Sequence, residues 1–468
     1  MLGEHLLQFR VVDRVRQVAH VNVRHRIDSW RRPRLTFRPA TVRRNRFAAC
    51  AHCALHRPVS SLSGWGLSNR NRAAMVRFEM GATGDERNTM TGKERVRATI
   101  AHQKADAVPL GFYCADYDTV ERVLGRKTYV RNKVAIQLAL WQGRRDEVAE
   151  SIKKDTVEFY RKIDCVDIVL PKEAITLPPK DYEPLGVETV GENQYRTSDG
   201  RVWKAVPHVN EIGCVHDPRP KQTDFTPEEF AQPLPVRPPD PSCFEAVDYL
   251  LAQLGQERYL PSMPPTTALV MLGGTENGLM QYLLAPEAVH AAARRQANHQ
   301  DALDPYNIRP GSAGVMFDND MAGSNGPLIS PAMFREMCLP YFKQRVAHVK
   351  TFRDQLILHN CGNNLPLMDM FVEAGVDCYQ SLQTTAGMEV GLLKQKFGDR
   401  MCFWGGVAVE KLIDGTPQDV RKDVRTAMER GAPGGGFILG PSHSVAKNTK
   451  YENFMAMLDE YVKLRDKF

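Results

Sequence analysis

The chain has 468 residues, is 43% hydrophobic and 25% charged, and carries a formal net charge of +7. That composition is ordinary for a globular protein, and the absence of any run of about 18 apolar residues excludes a transmembrane helix. The ten cysteines (50, 53, 114, 165, 214, 243, 338, 361, 378 and 402) show no framework spacing, which argues against a secreted disulfide scaffold and for reduced thiols in the cytoplasm.

The charge divides the chain. Residues 1–89 hold 17 Arg, no Lys and 6 acidic residues, a net +11, whereas the remainder holds 45 basic against 49 acidic residues, a net −4. The main body therefore offers no cationic surface for nucleic acid. The first segment has patches such as Arg31-Arg32-Pro33-Arg34 but little periodicity. Three readings compete for it: a nucleic-acid arm, an organellar targeting segment, or a start codon placed too early. The lack of Lys, the later Met75, Met80 and Met90, and the change at Lys93 favour the last, with the segment expected to be disordered. Cys50, His52, Cys53 and His56 have no second ligand pair at finger spacing and form a weak metal motif.

From Met90 the pattern becomes that of a folded domain. A helix capped by Thr91 is expected to bury Val96 and Ile100 and to be closed by Pro109; others are expected over 120–124 and 146–162. Residues 167–170 read as a first barrel strand. The Pro-rich stretch 172–245 reads as an insertion covering the barrel mouth, with a hairpin over 192–206 turning at Ser198-Asp199-Gly200 and a capping box at Thr226 and Glu229. Beyond 266, short apolar strands (268–272, 314–317, 356–358, 378–379, 401–404, 436–439) alternate with helices that start at Ala285-Pro286, Ser330-Pro331 and Thr416-Pro417. Such alternation indicates a parallel sheet, and a body of this size with at least seven strands suits a single (β/α)8 barrel.

Polar residues gather where these strands end: Asp318 and Asp320, His359 and Cys361, Gln380, Gly405 and Gly406, Ser442 and His443. In a parallel barrel all of these ends share one face. His359-x-Cys361 is a pair of soft donors suited to zinc.

The body from Met90 onward resembles the uroporphyrinogen decarboxylase superfamily, which includes cobalamin-dependent methyltransferases. The resemblance is carried by MTGKERVRATIAHQKADAVP, FDNDMAGSNGPLISPAMFREMCLPYFKQ, LILHNCGNNLPLMDMFVEAGVDCYQSLQ, FGDRMCFWGGVAVEKLIDGTPQDVRKDV, PGGGFILGPSHSV and NFMAMLDEY. It implies a (β/α)8 barrel with N-terminal helices. The decarboxylase branch carries an RQAGRY-like loop; here VPLGFYCADY at 108–117 contains no Arg. That branch's FSD-like Asp is replaced at Leu170-Pro171-Lys172, and its YMIEG-like Tyr has no counterpart in 270–274. The methyltransferase branch ligates zinc through His-x-Cys and a later Cys; His359 and Cys361 match, and His443 stands where the later Cys is expected.

The resemblance therefore implies a zinc-assisted methyltransferase. Its metal ligands are His359, Cys361 and His443, its catalytic residues Asp318, Asp320 and His443, and its cofactor-binding residues Gln380, Gly405, Gly406 and Ser442. A corrinoid carried by a partner protein would give or take the methyl group. Expected partners are that corrinoid-binding protein, a small-molecule methyl donor or acceptor and a second copy of the chain, with neither nucleic acid nor membrane. The alternatives are a uroporphyrinogen decarboxylase of porphyrin biosynthesis and a non-catalytic small-molecule binding protein on the same barrel.

Overall fold

The helix Gly92–Ile100 begins where the composition changes, and its first turn shows why it starts there. Thr91 Oγ1 accepts from the Glu94 amide at 3.2 Å while Glu94 Oε2 accepts from the Thr91 amide at 2.8 Å, so two otherwise orphaned donors are satisfied together. The computed structural model describes residues 90–468; the Arg-rich segment and its Cys50, His52, Cys53 and His56 lie outside the described residues. Helices follow at Tyr117–Leu124, Lys133–Trp141 and Arg145–Lys162.

The stretch 172–245 contains a four-stranded antiparallel sheet: β1 Val187–Gly191, β2 Gln194–Thr197, β3 Val202–Val206 and β4 Glu211–His216, in that spatial order. The expected hairpin is present, with Tyr195 opposite Trp203, and Asp199 Oδ1 caps its turn through Thr197 Oγ1 at 2.6 Å. Trp203 packs on Trp141, with ring centroids 5.4 Å apart. Thr226 caps a single 3-10 turn, Pro227–Phe230.

The centre of the molecule is a five-stranded parallel sheet: β5 Val315–Asp318, β6 Leu356–His359, β7 Cys378–Gln380, β8 Cys402–Val407 and β9 Phe437–Pro441, each paired with the next. Further parallel bridges extend it from Val315 to Ser262, from Tyr259 to Ile168, from Ile168 to Gly111, and from Leu110 back to Leu439 on β9. Alternate strand residues enter different clusters. Met316, Ile357, Cys378, Cys402, Trp404 and Ile438 pack with Tyr259 and Ile168, whereas Phe317, Leu358, Tyr379, Phe403 and Leu439 join the larger helix-facing core. Both faces of the sheet are therefore buried, as parallel sheets require. The chain is an α/β protein built on a parallel sheet.

Two strand expectations need correction. Residues 268–272 form no strand; Asn319 holds this buried apolar run as a loop, accepting from the Ala268 amide at 2.6 Å and donating to Thr266 O at 2.7 Å. The bridging residues there are Tyr259 and Ser262, which lie before the first strand expected in this part of the chain. Likewise, 167–170 is preceded in the sheet by Leu110 and Gly111. Among the described residues no helix is long and apolar enough to cross a membrane, and all eight described cysteines are unpaired.

Candidate metal and catalytic site

The site is built around the end of β6. That strand is buried along its whole length, so His359 emerges at its last position and remains only 2% exposed. The turn that follows is tied on three sides. The Asn360 amide donates to Gln380 O at 2.7 Å, the Asn360 side chain accepts from the Met321 amide at 2.9 Å, and the Tyr379 hydroxyl donates to Asn360 O at 2.6 Å. Gly362 adopts a φ of 82°, in the region glycine enters without strain. Held in this way, the Cys361 thiol folds back to 3.4 Å from His359 Nε2, while Asp320 Oδ1 accepts from the Cys361 amide at 2.9 Å. His443 arrives from the end of β9. Ligand atoms of His359, Cys361 and His443 all lie within 4.8 Å of one another.

Neighbouring side chains fix the His359 ring. Its Nδ1 is hydrogen-bonded to Gln380 Oε1. Tyr113 stacks on its face, with centroids 3.8 Å apart and planes 13° from parallel. The Tyr113 hydroxyl donates to Asp318 Oδ2 at 2.9 Å, and Lys172 forms an ion pair with the same carboxylate and lies 4.8 Å from the Tyr113 ring centroid. Asp318 Oδ1 stands 3.9 Å from His359 Nε2.

These contacts set the protonation states. Burial, reinforced by the neighbouring His359 ring and by the positive charges of Arg131 and Lys172, pulls His443 down to about 3. Burial also lowers His359, against the opposing pull of Asp318 and Asp320. Burial alone would raise Asp318, but His359, Lys172 and Tyr113 outweigh it and hold this carboxyl below its ordinary range. Burial and the Asp320 carboxylate push the Cys361 thiol well above its ordinary value. The resting site thus holds two neutral imidazoles, a thiol and ionised Asp318.

The donor set fits zinc. Metal–ligand distances of about 2.0–2.1 Å to nitrogen and 2.3 Å to sulfur in a tetrahedron put sulfur and nitrogen about 3.6 Å apart, and the Cys361–His359 separation is 3.4 Å. Two imidazoles and a thiol are donors zinc accepts, and three protein ligands leave the fourth position for a reactant. A second cluster, Asp301, Asp304 and His348, also lies within 4.8 Å. There the Arg345 guanidinium already bonds both carboxylates, so its positive charge is supplied by the protein.

The other residues singled out in the sequence serve this site less directly. Gln380 is fully buried and reaches His359. Ser442 is 1% exposed and joins strand ends: its carbonyl accepts from Ser381 Oγ, and its hydroxyl accepts from the Val409 amide at 3.1 Å. Gly405 and Gly406 lie on β8 with φ of 149° and 108°, and an added Cβ would come within 2.9 Å of Leu382 and 2.8 Å of Ala427 respectively. Close packing by itself accounts for glycine at both positions. Sequence reasoning missed Tyr113 and Lys172. Both follow bridging segments, Leu110–Gly111 and Ile168, so the rule that selected the other strand ends would have found them had 110–111 been recognised as a strand.

Comparison with known proteins agrees with this architecture. A solved methyltransferase from Methanosarcina mazei superposes with a TM-score of 0.51 at 16% identity, covering 80% of this chain and 99% of its own. At that identity the likeness speaks for the fold. A protein named uroporphyrinogen decarboxylase from Pseudoalteromonas translucida (strain TAC 125) is 25% identical over 179 residues, 36% of this chain and 46% of the relative's length. The family model described as uroporphyrinogen decarboxylase (URO-D) matches residues 213–464, a span that includes β5 to β9 and every candidate ligand. With more than half of its length matched by that model, the chain belongs to the uroporphyrinogen decarboxylase (URO-D) family.

Proposed function

We propose that the parallel segments close into one (β/α)8 barrel. We further propose that the chain is a methyltransferase moving a methyl group to or from a corrinoid on a partner protein, with zinc held by His359, Cys361 and His443. The observation that carries this reading is the convergence of those three donors, from the ends of two strands, within 4.8 Å. A bound zinc supplies Lewis acidity towards the heteroatom that gains or loses the methyl group. The chain's own residues do the rest. Asp318, ionised at neutral pH, holds or returns the proton that replaces the methyl group on that heteroatom. Tyr113 and Lys172 keep its carboxylate in place, and Asp320 orients the Cys361 amide.

The decarboxylase reading has one observation in its favour, the 25% match to a protein of that name. An octacarboxylate substrate, however, needs several free cationic donors. The stretch 108–117 has no Arg, and the two cations near His443 are already engaged, Arg131 with Asp116 and Glu173 and Lys172 with Asp318. The deciding experiment loads the chain with zinc and follows methylcobalamin absorbance with a panel of thiol acceptors, and cob(I)alamin with methylated ethers, amines and thiols. Turnover in either direction that disappears in Cys361→Ala supports the proposal. Turnover of uroporphyrinogen with none on corrinoids overturns it.

A further inference from the structure

We infer that Gln380 is the positioning residue that sets the tautomer of His359 and so opens Nε2 to a metal; the inference rests on the zinc reading above. A neutral imidazole carries one N–H, and the partner of one nitrogen decides which nitrogen holds it. Gln380 is Cα partner to His359 across the β6–β7 pair and is fully buried, with its backbone anchored through the Asn360 amide at 2.7 Å. Its Oε1 faces His359 Nδ1. An acceptor there keeps the hydrogen on Nδ1 and directs the Nε2 lone pair towards Cys361 Sγ, 3.4 Å away. Stacking on Tyr113 confines the ring plane, so the lone pair keeps that aim.

The side-chain amide is the element that can turn. Among the described residues Gln380 Nε2 has no hydrogen-bond partner, so none of them holds the amide from that side. Rotated by half a turn, the amide would present N–H to Nδ1, move the ring hydrogen to Nε2 and close the lone pair to a cation. A carboxylate at this position can only accept and would enforce the metal-binding tautomer. A thioether of similar length would enforce neither. These two variants separate a tautomer-setting role from plain packing.

The test measures zinc affinity of the full chain by competition with a chromophoric chelator, for wild type, Gln380→Met and Gln380→Glu. Thermal melts of the metal-free proteins and the sulfur-to-cobalt charge-transfer band after Co²⁺ substitution are recorded alongside. Loss of a residue that orients a metal-binding histidine weakens binding about 10–100-fold, and that is expected for Gln380→Met. Gln380→Glu is expected to bind zinc at least as tightly as wild type and to retain the cobalt band. Zinc binding by Gln380→Met within about threefold of wild type, well short of that loss, overturns the inference and leaves the zinc site standing. So does a folded Gln380→Glu as weak as Gln380→Met. If one of the two variants fails to fold, the other decides alone. Wild type without zinc affinity removes the zinc reading and this inference with it.

Discussion

Loading the site with zinc should release one proton per metal, and the protonation states described above fix that number. His443 sits at about 3 and His359 below its ordinary value, so at neutral pH both imidazoles are neutral and give up nothing on binding. The Cys361 thiol, raised by burial and by Asp320, is fully protonated and must ionise to become a ligand. A ligand that binds only after losing one proton gains affinity tenfold per pH unit, about 1.4 kcal/mol each. The apparent zinc affinity should therefore rise with a slope of one around neutral pH. Four-ligand structural zinc sites bind with about 10–16 kcal/mol, so removing one ligand should cost about 3–4 kcal/mol, or 10²–10³-fold. Cys361→Ser should show that loss together with a slope near zero. Chelator competition across the pH range gives both quantities, and calorimetry in buffers of different ionisation enthalpy counts the proton independently. A slope of zero in wild type would mean that the thiol is already ionised. A slope of two would mean that an imidazole is still charged. Either result refutes the electrostatic account of the site.

Other consequences can be checked separately. Tyr113→Phe keeps the stack on His359 but removes the hydrogen bond to ionised Asp318, a contact worth about 1.5–3 kcal/mol. Methyl transfer should fall about 10–100-fold with zinc content unchanged, and unchanged kcat/KM would separate Asp318 from the reaction. Arg345→Met strips the buried Asp304 of its partner and should cost about 3–5 kcal/mol at neutral pH by urea denaturation. Burial, only partly offset by Arg345, places Asp304 above its ordinary value. Protonation therefore favours the folded state, and the cost should shrink as the pH falls; a penalty that grows in acid contradicts this sign. A chain starting at Met90 should melt at the temperature of the full chain. Anaerobic incubation with uroporphyrinogen should yield no coproporphyrinogen.

Much of this was legible because the relevant signals are local. The Thr91 and Thr416 capping boxes, the Ser330 cap and the turn at Asp199 each depend on residues within three positions of one another. The polar residues at the ends of β5, β6 and β9 stood out because short, uninterrupted apolar strands precede them. What stayed hidden depends on contacts distant in sequence. Leu110 and Gly111 form too short a segment to show a period, and only pairing with Leu439 and Ile168 makes them part of the sheet. Tyr113 and Lys172 were consequently judged by what their stretches lack, not by where they point. The run 268–272 has a strand's composition but is held as a loop by Asn319, some fifty residues away. Gln380 stood out in the sequence as a polar residue at a strand end, yet only the register of β6 against β7 gives it a partner, His359.

Charge balance around His359 and Cys361 bears on the choice between the branches of the family. Lys172 and Asp318 cancel, and Arg131 is shared between Asp116 and Glu173, so that cluster carries one excess negative charge. Asp320, held on the Cys361 amide, adds another. Without metal, the thiol and both imidazoles are neutral and the site is anionic. With a divalent cation, one thiolate and two neutral imidazoles leave a single positive charge, which offsets Asp320 but nothing more. In neither state is there surplus positive charge for a substrate bearing many carboxylates, whose burial without partners is prohibitive. A neutral or cationic methyl donor meets no such penalty and gains from the anionic rim. The departure at His443 matters here. A cysteine in its place would add a second thiolate and remove the last positive charge from the loaded site, weakening its pull on a heteroatom. With zinc bound, two imidazoles and one thiolate would keep that pull, and the surrounding carboxylates would disfavour a polyanionic substrate.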